Sequence, residues 1–136
     1  MKTKFIILIT LLACIGISSS FAQTKKEYVE VLYFHRTQRC NTCQAIEKTT
    51  KELLEKNYKR DVKSGALVFT SVDFQQNNTN PLVEKYEIEG PTLLIIYHKK
   101  GKETVSNYTD EGFQYALSNP AKLKEILTDK INECFR

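Results

Sequence analysis

The pattern of apolar and polar positions predicts four strands. Residues 31–34 and 92–97 are apolar at successive positions, which is typical of strands that are covered on both faces. The first run belongs to a predicted strand over 27–35, and the second is a strand of its own. Two further strands are predicted over 66–74 and, at an edge of the sheet, over 103–108.

Three helices follow from spacing and from capping signals. Apolar residues recur at spacings of three and four from 44 to 59, with Glu47 among the charged residues on the opposite side. Asn-Pro pairs at 80–81 and 119–120 predict helix starts, one for a short helix over 81–86 and one for a C-terminal helix. The apolar face of the C-terminal helix consists of Leu123, Ile126, Leu127, Ile131, Cys134 and Phe135.

The order of these elements, β-α-β-α-β-β-α, predicts an α/β fold. Strands that alternate with helices favour parallel pairing, and the final hairpin adds one antiparallel strand. We therefore expect a central, mixed four-stranded sheet with helices on both faces.

The first 22 residues have the pattern of a secretory signal peptide. Lys2 and Lys4 precede an apolar run, and small residues lead up to Ala22. We expect cleavage after Ala22, one domain over 23–136, and a periplasmic or otherwise extracytoplasmic protein. The run is shorter than the roughly 20 residues of a membrane span, so a retained anchor is the less favoured alternative. A second alternative is a lipid anchor at Cys14, which ends a lipobox-like Leu-Leu-Ala-Cys.

Charge and glycine content exclude several classes of function. The formal net charge of the whole chain is +4, and cleavage removes two lysines and no acidic residue, so the domain is nearly balanced. No basic block is interleaved with aromatic residues, and nucleic-acid binding therefore has no support. The five glycines never form G-x-G-x-x-G, so we expect no flavin or nicotinamide cofactor.

Candidate chemistry lies in a C-x-x-C pair, Cys40 and Cys43, between the first strand and the first helix. At a helix start the backbone N–H groups and the helix dipole favour a thiolate at Cys40, and Arg36 and Arg39 add positive potential. Cys43 lies one helical turn further on and is expected to be the more shielded thiol. Such a pair can exchange disulfides, with Cys40 attacking first and Cys43 resolving the mixed disulfide.

Two other interpretations of the pair stay open. A structural disulfide across so small a loop removes little chain entropy. A zinc site needs a second pair of ligands, and Cys134, His35 and His98 are the remaining candidates. Cys134 fits better as a core thiol. We expect His35 to end its strand at the surface and His98 to be exposed to solvent.

The motif Cys40-Asn41-Thr42-Cys43 and the segment YEIEGPTLLIIY at 86–97 together resemble the thioredoxin-like superfamily. The resemblance implies that Pro91 is a cis-proline beside Cys40, and that Gly90 and Thr92 flank a groove for an extended substrate chain. Arg39 stands where thioredoxin has an aromatic residue and is a further candidate for substrate binding.

The first strand departs from thioredoxin, because Tyr33 and Phe34 replace the family's buried acid. Three segments, VLYFHRTQRCNTCQAIE, EKYEIEGPTLLIIY and NYTDEGFQYALSNPAKLKEIL, are similar to a small exported bacterial family of nitrophenyl compound nitroreductase subunits. That resemblance implies that any nitroreductase cofactor belongs to a partner.

Two functions are therefore predicted. The first is an exported thiol–disulfide oxidoreductase that exchanges electrons through Cys40 and Cys43 with protein thiols or disulfides or with a partner reductase. The alternative is a non-catalytic thiol module that binds a soft metal or metalloid, or serves as a subunit of a redox complex.

Overall fold

The computed structural model describes residues 27–76 and 79–136. The predicted signal peptide, its cleavage after Ala22 and the alternative lipid anchor at Cys14 lie outside the described residues. In the described part of the chain, no helix has the length and apolar character needed to span a bilayer.

Four strands and five helices make up the described chain. The strands are β1 (Tyr28–His35), β2 (Leu67–Asp73), β3 (Thr92–Lys99) and β4 (Lys102–Asn107). The helices are α1 (Asn41–Asn57), α2 (Lys59–Ser64), α3 (Pro81–Lys85), α4 (Thr109–Tyr115) and α5 (Pro120–Cys134).

The strands form one sheet in the order β2-β1-β3-β4. The two apolar runs, β1 and β3, are its central strands, as their composition predicts. β1 pairs with β2 in parallel, whereas β3 is antiparallel to both β1 and β4. The predicted mixed four-stranded sheet with helices on both faces is confirmed.

The direction of β3 differs from the expectation of parallel pairing. A parallel crossover has to carry the chain back along the full length of the sheet. The five residues of α3 rise by only about 7.5 Å, against roughly 23 Å for the seven residues of β2. β3 therefore starts at the end of the sheet where β2 finishes.

Alternate residues of β1 face two unequal cores. Val29, Val31 and Tyr33 lie in the larger one, which α1, α4 and α5 cover. Leu32 and Phe34 lie in the smaller one on the other face, which is covered by α3 and the segment after it. Both sets are almost completely buried, so the first turn of α1 starts from a rigid strand.

The C-terminal helix packs as its pattern predicts, and a shorter helix precedes it. On α5, Leu123, Leu127 and Ile131 are at most 1% exposed, and Cys134 is a buried thiol. The sequence pattern did not predict α4. A Cβ on its Gly112 would lie 3.3 Å from the Cδ1 atom of Ile46, so the glycine allows α4 to pack closely on α1.

Candidate active site

Cys40 is the N-cap residue of α1. Its backbone is extended (φ −73°, ψ 165°), and its Sγ accepts a hydrogen bond of 3.2 Å from the backbone N–H of Cys43. The first turn of α1 contains no acidic residue, so no carboxylate there opposes the positive end of the helix dipole. Cys40 is exposed to solvent, which leaves its sulfur open to a large substrate.

Cys43, one turn further along α1, has the opposite environment. It is only 7% exposed, and both cysteines are free thiols in the structure. A hydrogen bond from the Cys43 side chain lowers the pKa of Cys40, and the backbone N–H of Cys43 lowers it further. Burial raises the pKa of Cys43, and the hydrogen bond to Cys40 adds to that shift. At a given pH, Cys40 therefore has the larger thiolate fraction.

The two arginines do not favour the Cys40 thiolate in the way that the sequence led us to expect. Arg36 is exposed, and Arg39 directs its guanidinium at the Glu47 carboxylate and the His35 ring. Neither arginine is among the main causes of the lowered Cys40 pKa, which come from Cys43 and from backbone N–H groups. The Cys43 side chain and then the helix start, and not the arginines, make Cys40 the more acidic thiol.

His35 and Glu47 are buried, although the sequence pattern placed both at the surface. His35 is 6% and Glu47 is 9% exposed. The Nε of Arg39 donates to Nδ1 of His35 at 3.1 Å, and Lys51 Nζ lies 2.8 Å from Glu47 Oε1. We call these four residues the cysteine-end cluster. Burial is explained by pairing, since Glu47 has a cation on each side.

His98 is also less exposed than predicted, and it belongs to a second cluster at the other end of β1. Its ring stacks on Tyr28 at 4.1 Å, and its two nitrogens lie 3.2 Å from Glu30 and 3.4 Å from Glu103. Lys85 of α3 pairs with Glu103 at 2.6 Å. We call Glu30, Lys85, His98 and Glu103 the far-end cluster.

Tyr33 lies directly against Cys43. Its side chain is completely buried, and its hydroxyl donates a hydrogen bond of 3.0 Å to the backbone carbonyl of Cys43. Burial, and then the neighbouring Cys43, raise the pKa of this phenol far above its ordinary value, so it stays protonated. The sequence draws attention to Tyr33 only through the comparison with a family that has an acid on this strand.

The predicted substrate groove starts at β3. Thr92 pairs with Phe34, so Pro91 lies at the end of the sheet where β1 leads into the cysteine loop. The expectation of a cis-proline is wrong: no peptide bond in the described residues is cis. The Thr92 hydroxyl donates to the Gly90 carbonyl at 2.9 Å, and a Cβ on Gly90 would meet nothing within 4 Å. The contact of Pro91 with Cys40 stays a prediction.

A zinc site would need further ligands beside Cys40 and Cys43. Among the described residues, no group of three or more His, Cys, Asp or Glu side chains could hold a metal ion. Cys134 and His98, the two distant candidates for zinc, lie in the core under α5 and in the far-end cluster.

No protein-family model and no curated protein matches this chain. Solved structures do. Thioredoxin from Fasciola hepatica is 26% identical, with 75% of this chain and 80% of that chain covered and a TM-score of 0.44. The germline-specific thioredoxin Deadhead from Drosophila melanogaster is 21% identical over 75% and 80%, with a TM-score of 0.46. Thioredoxin from Trypanosoma brucei brucei is 22% identical over 80% of each chain, with a TM-score of 0.42.

These neighbours are thioredoxins. The candidate chemistry of this chain rests on its own two cysteines and the residues around them.

Proposed function

We propose that the protein is an exported thiol–disulfide oxidoreductase that uses Cys40 as the attacking thiol and Cys43 as the resolving thiol. The observation that carries the proposal is the contrast within one helical turn. An exposed sulfur with a lowered pKa caps α1, and a buried sulfur with a raised pKa lies three residues later. Attack requires a thiolate that a substrate can reach, and resolution requires a second thiol close to the first; shielding of that second thiol keeps it from reacting with other disulfides.

The exchange has two steps. The Cys40 thiolate attacks one sulfur of a substrate disulfide; a bond forms between the two, the substrate S–S bond breaks, and the leaving sulfur takes the electron pair. The Cys43 thiolate then attacks Sγ of Cys40 and releases the second substrate sulfur as a thiolate. The substrate disulfide gains two electrons, and Cys40 and Cys43 become a disulfide. In reverse, the same steps oxidise a substrate dithiol.

Export and partner are parts of this proposal. The signal-peptide pattern of residues 1–22 supports action outside the cytoplasm, where protein disulfides persist. A dithiol protein or a partner reductase would return the pair to its reduced form. The sequence resemblance to nitroreductase subunits supports a reductase that brings its own cofactor, to which this chain passes electrons.

The test is to measure the reduction potential of the Cys40/Cys43 couple against glutathione buffers, and to trap the thiols with iodoacetamide at graded pH. We expect one two-electron couple and preferential alkylation of Cys40 at neutral pH. Cys134→Ala is the control, since a core thiol takes no part in the couple. A Cys40 that never enters a disulfide and is not alkylated below about pH 8, within the ordinary range of thiols, would contradict the proposal.

A further inference from the structure

We propose that Tyr33 is a positioning residue for the resolving step: its buried hydroxyl holds the Cys43 carbonyl while Cys43 is a thiol, and donates to the Cys43 sulfur once that sulfur is a thiolate. The inference rests on the proposed function and deepens it. It assigns the second step to a group on the strand, whereas the first step depends on the helix start.

The geometry places the Tyr33 hydroxyl against Cys43. Tyr33 lies on the central strand β1 with no exposed surface, and its hydroxyl donates to the Cys43 carbonyl at 3.0 Å. The two side chains are also close enough for each to shift the pKa of the other. The phenolic proton therefore has two candidate acceptors on the same residue, the carbonyl oxygen that it meets in the structure and the sulfur.

Electrostatics decide whether the Tyr33 hydroxyl donates its proton to the carbonyl oxygen or to the sulfur of Cys43. A buried thiolate is costly unless a donor faces it, and hydrogen bonds to charged acceptors are about twice as strong as neutral ones. Arg39, a half-buried cation on the loop before Cys40, is already paired with Glu47 and His35. Of the side chains that shift the pKa of Cys43, Tyr33 is the one that lowers it.

In the reaction, Tyr33 keeps its own proton. The proton of Cys43 leaves for solvent, and the thiolate attacks Sγ of Cys40 in the mixed disulfide with a protein substrate. The substrate sulfur departs with the electron pair, as in the second step above. Donation from Tyr33 raises the thiolate fraction of Cys43 at neutral pH and therefore speeds this step alone.

The test separates the two steps with an aromatic disulfide reagent whose thiolate product absorbs visible light. In a Cys14→Ser, Cys134→Ala background, the first release reports the attack by Cys40 and the second reports resolution by Cys43. Tyr33→Phe removes only the hydroxyl. Tyr58→Phe is the matched control, because Tyr58 is equally a buried tyrosine, 6% exposed, whose hydroxyl donates at 2.9 Å to Asn132, a residue of α5.

We expect Tyr33→Phe to slow the second release by about threefold at neutral pH, because a rise of one unit in the pKa of Cys43 lowers its thiolate fraction about tenfold while the more basic thiolate reacts about threefold faster. The midpoint of its pH profile moves to higher pH, while the first release is unchanged. Tyr58→Phe leaves both releases and the midpoint unchanged. A Tyr33→Phe variant with an unmoved midpoint, or with both releases slowed equally, overturns the inference.

A failure of the proposed function can be distinguished from a failure of this inference. A parent protein without the first release would overturn the redox function itself, whereas a parent with both releases leaves only the role of Tyr33 in question. If Tyr33→Phe does not fold, fluorotyrosine incorporated into the parent and into Tyr58→Phe makes each remaining phenol a stronger donor. The second release then accelerates in both proteins, and the absence of acceleration overturns the inference.

Discussion

The two ends of β1 each carry an ionic cluster around a histidine, but only one of them adjoins the Cys40–Cys43 pair. In the cysteine-end cluster the ring faces the cation Arg39, and in the far-end cluster it faces two carboxylates. The side chain of Glu47 is 12% exposed, whereas those of Lys85 and Glu103 are 45% and 31% exposed.

This difference separates two uses of charge. Water screens the Lys85–Glu103 pair of the far-end cluster, so the main effect of that pair is to attach α3 to the edge strand, although Glu30 and His98 are only 16% and 15% exposed. In the cysteine-end cluster Glu47 is the shielded group, while Arg39 and Lys51 are 26% and 49% exposed, and the pair of Arg39 with Glu47 fixes the loop before Cys40 onto the side of α1. Arg39 reaches Glu47 across that corner, so the position of Cys40 depends on a pair that is not among the main causes of its lowered pKa.

The largest effect that we expect is the loss of exchange in Cys40→Ser. The variant removes the attacking sulfur, so reduction of an insulin-type protein disulfide falls to the uncatalysed rate. Cys43→Ser should instead accumulate a mixed disulfide, visible by mass spectrometry of the intact protein, since the first step survives and the second does not. Exchange that persists in Cys40→Ser, or a Cys43→Ser variant that accumulates no mixed disulfide, would place the chemistry elsewhere.

Next in size is the effect of Glu47→Gln on stability. The change leaves Arg39 and Lys51 without their shared carboxylate, and we expect a loss of about 2 kcal/mol in the free energy of unfolding by urea. Lys48→Gln is the control: it lies on the same helix, but its ion pair with Glu52 is at 4.0 Å and exposed. Equal losses of unfolding free energy in both variants would show that the pairs of Glu47 contribute no more to stability than the exposed pair of Lys48.

A smaller effect is expected in the pH dependence of Cys40 alkylation. In the parent protein the rate reaches half its maximum below the ordinary cysteine value of about 8.5, since the Cys40 pKa is lowered. Cys43→Ala removes the side-chain hydrogen bond that contributes most, so the midpoint rises toward the ordinary value while the N–H contribution persists. An unchanged midpoint in iodoacetamide kinetics would show that the helix start acts alone.

The smallest effect is expected for Glu103→Gln at the far end. The exposed pair with Lys85 contributes about 0.5 kcal/mol to unfolding, and disulfide exchange is unchanged. Lys85 holds the pKa of Glu103 below its usual range, so this contribution is present at neutral pH and is lost as the pH falls through the lowered pKa. Urea unfolding at neutral and acidic pH checks the difference. A fall in exchange would couple the two ends of β1.

Sequence patterns predict the parts of the fold in which one local signal dominates. The continuous apolar runs of β1 and β3, and the Asn-Pro start of α5, belong to this class. By contrast, α4 shows no helical spacing of apolar residues, and it forms where Gly112 fits against Ile46. The direction of β3 depends on the length of α3 relative to that of β2. No local pattern of residues contains this three-dimensional constraint.

The candidate site divides in the same way. The helix-start position of Cys40 and the shielding of Cys43 follow from their order in the chain. The burial of His35 and Glu47 does not, because their partner Arg39 lies on a loop and reaches each of them across a corner. The periodicity of a helix predicts only that a charged residue such as Glu47 lies on its polar side. It contains no information about a cation, here Arg39, that contacts that residue from outside the helix.

The hydrogen bond from the Cys43 backbone N–H to the Cys40 sulfur couples the redox state of the two cysteines to the stability of the first turn of α1. A thiolate is a strong acceptor for that amide, while a sulfur engaged in a covalent bond to another sulfur is a weak one. Under the proposed function, each change of redox state therefore strengthens or weakens the hydrogen bond at the first turn of α1.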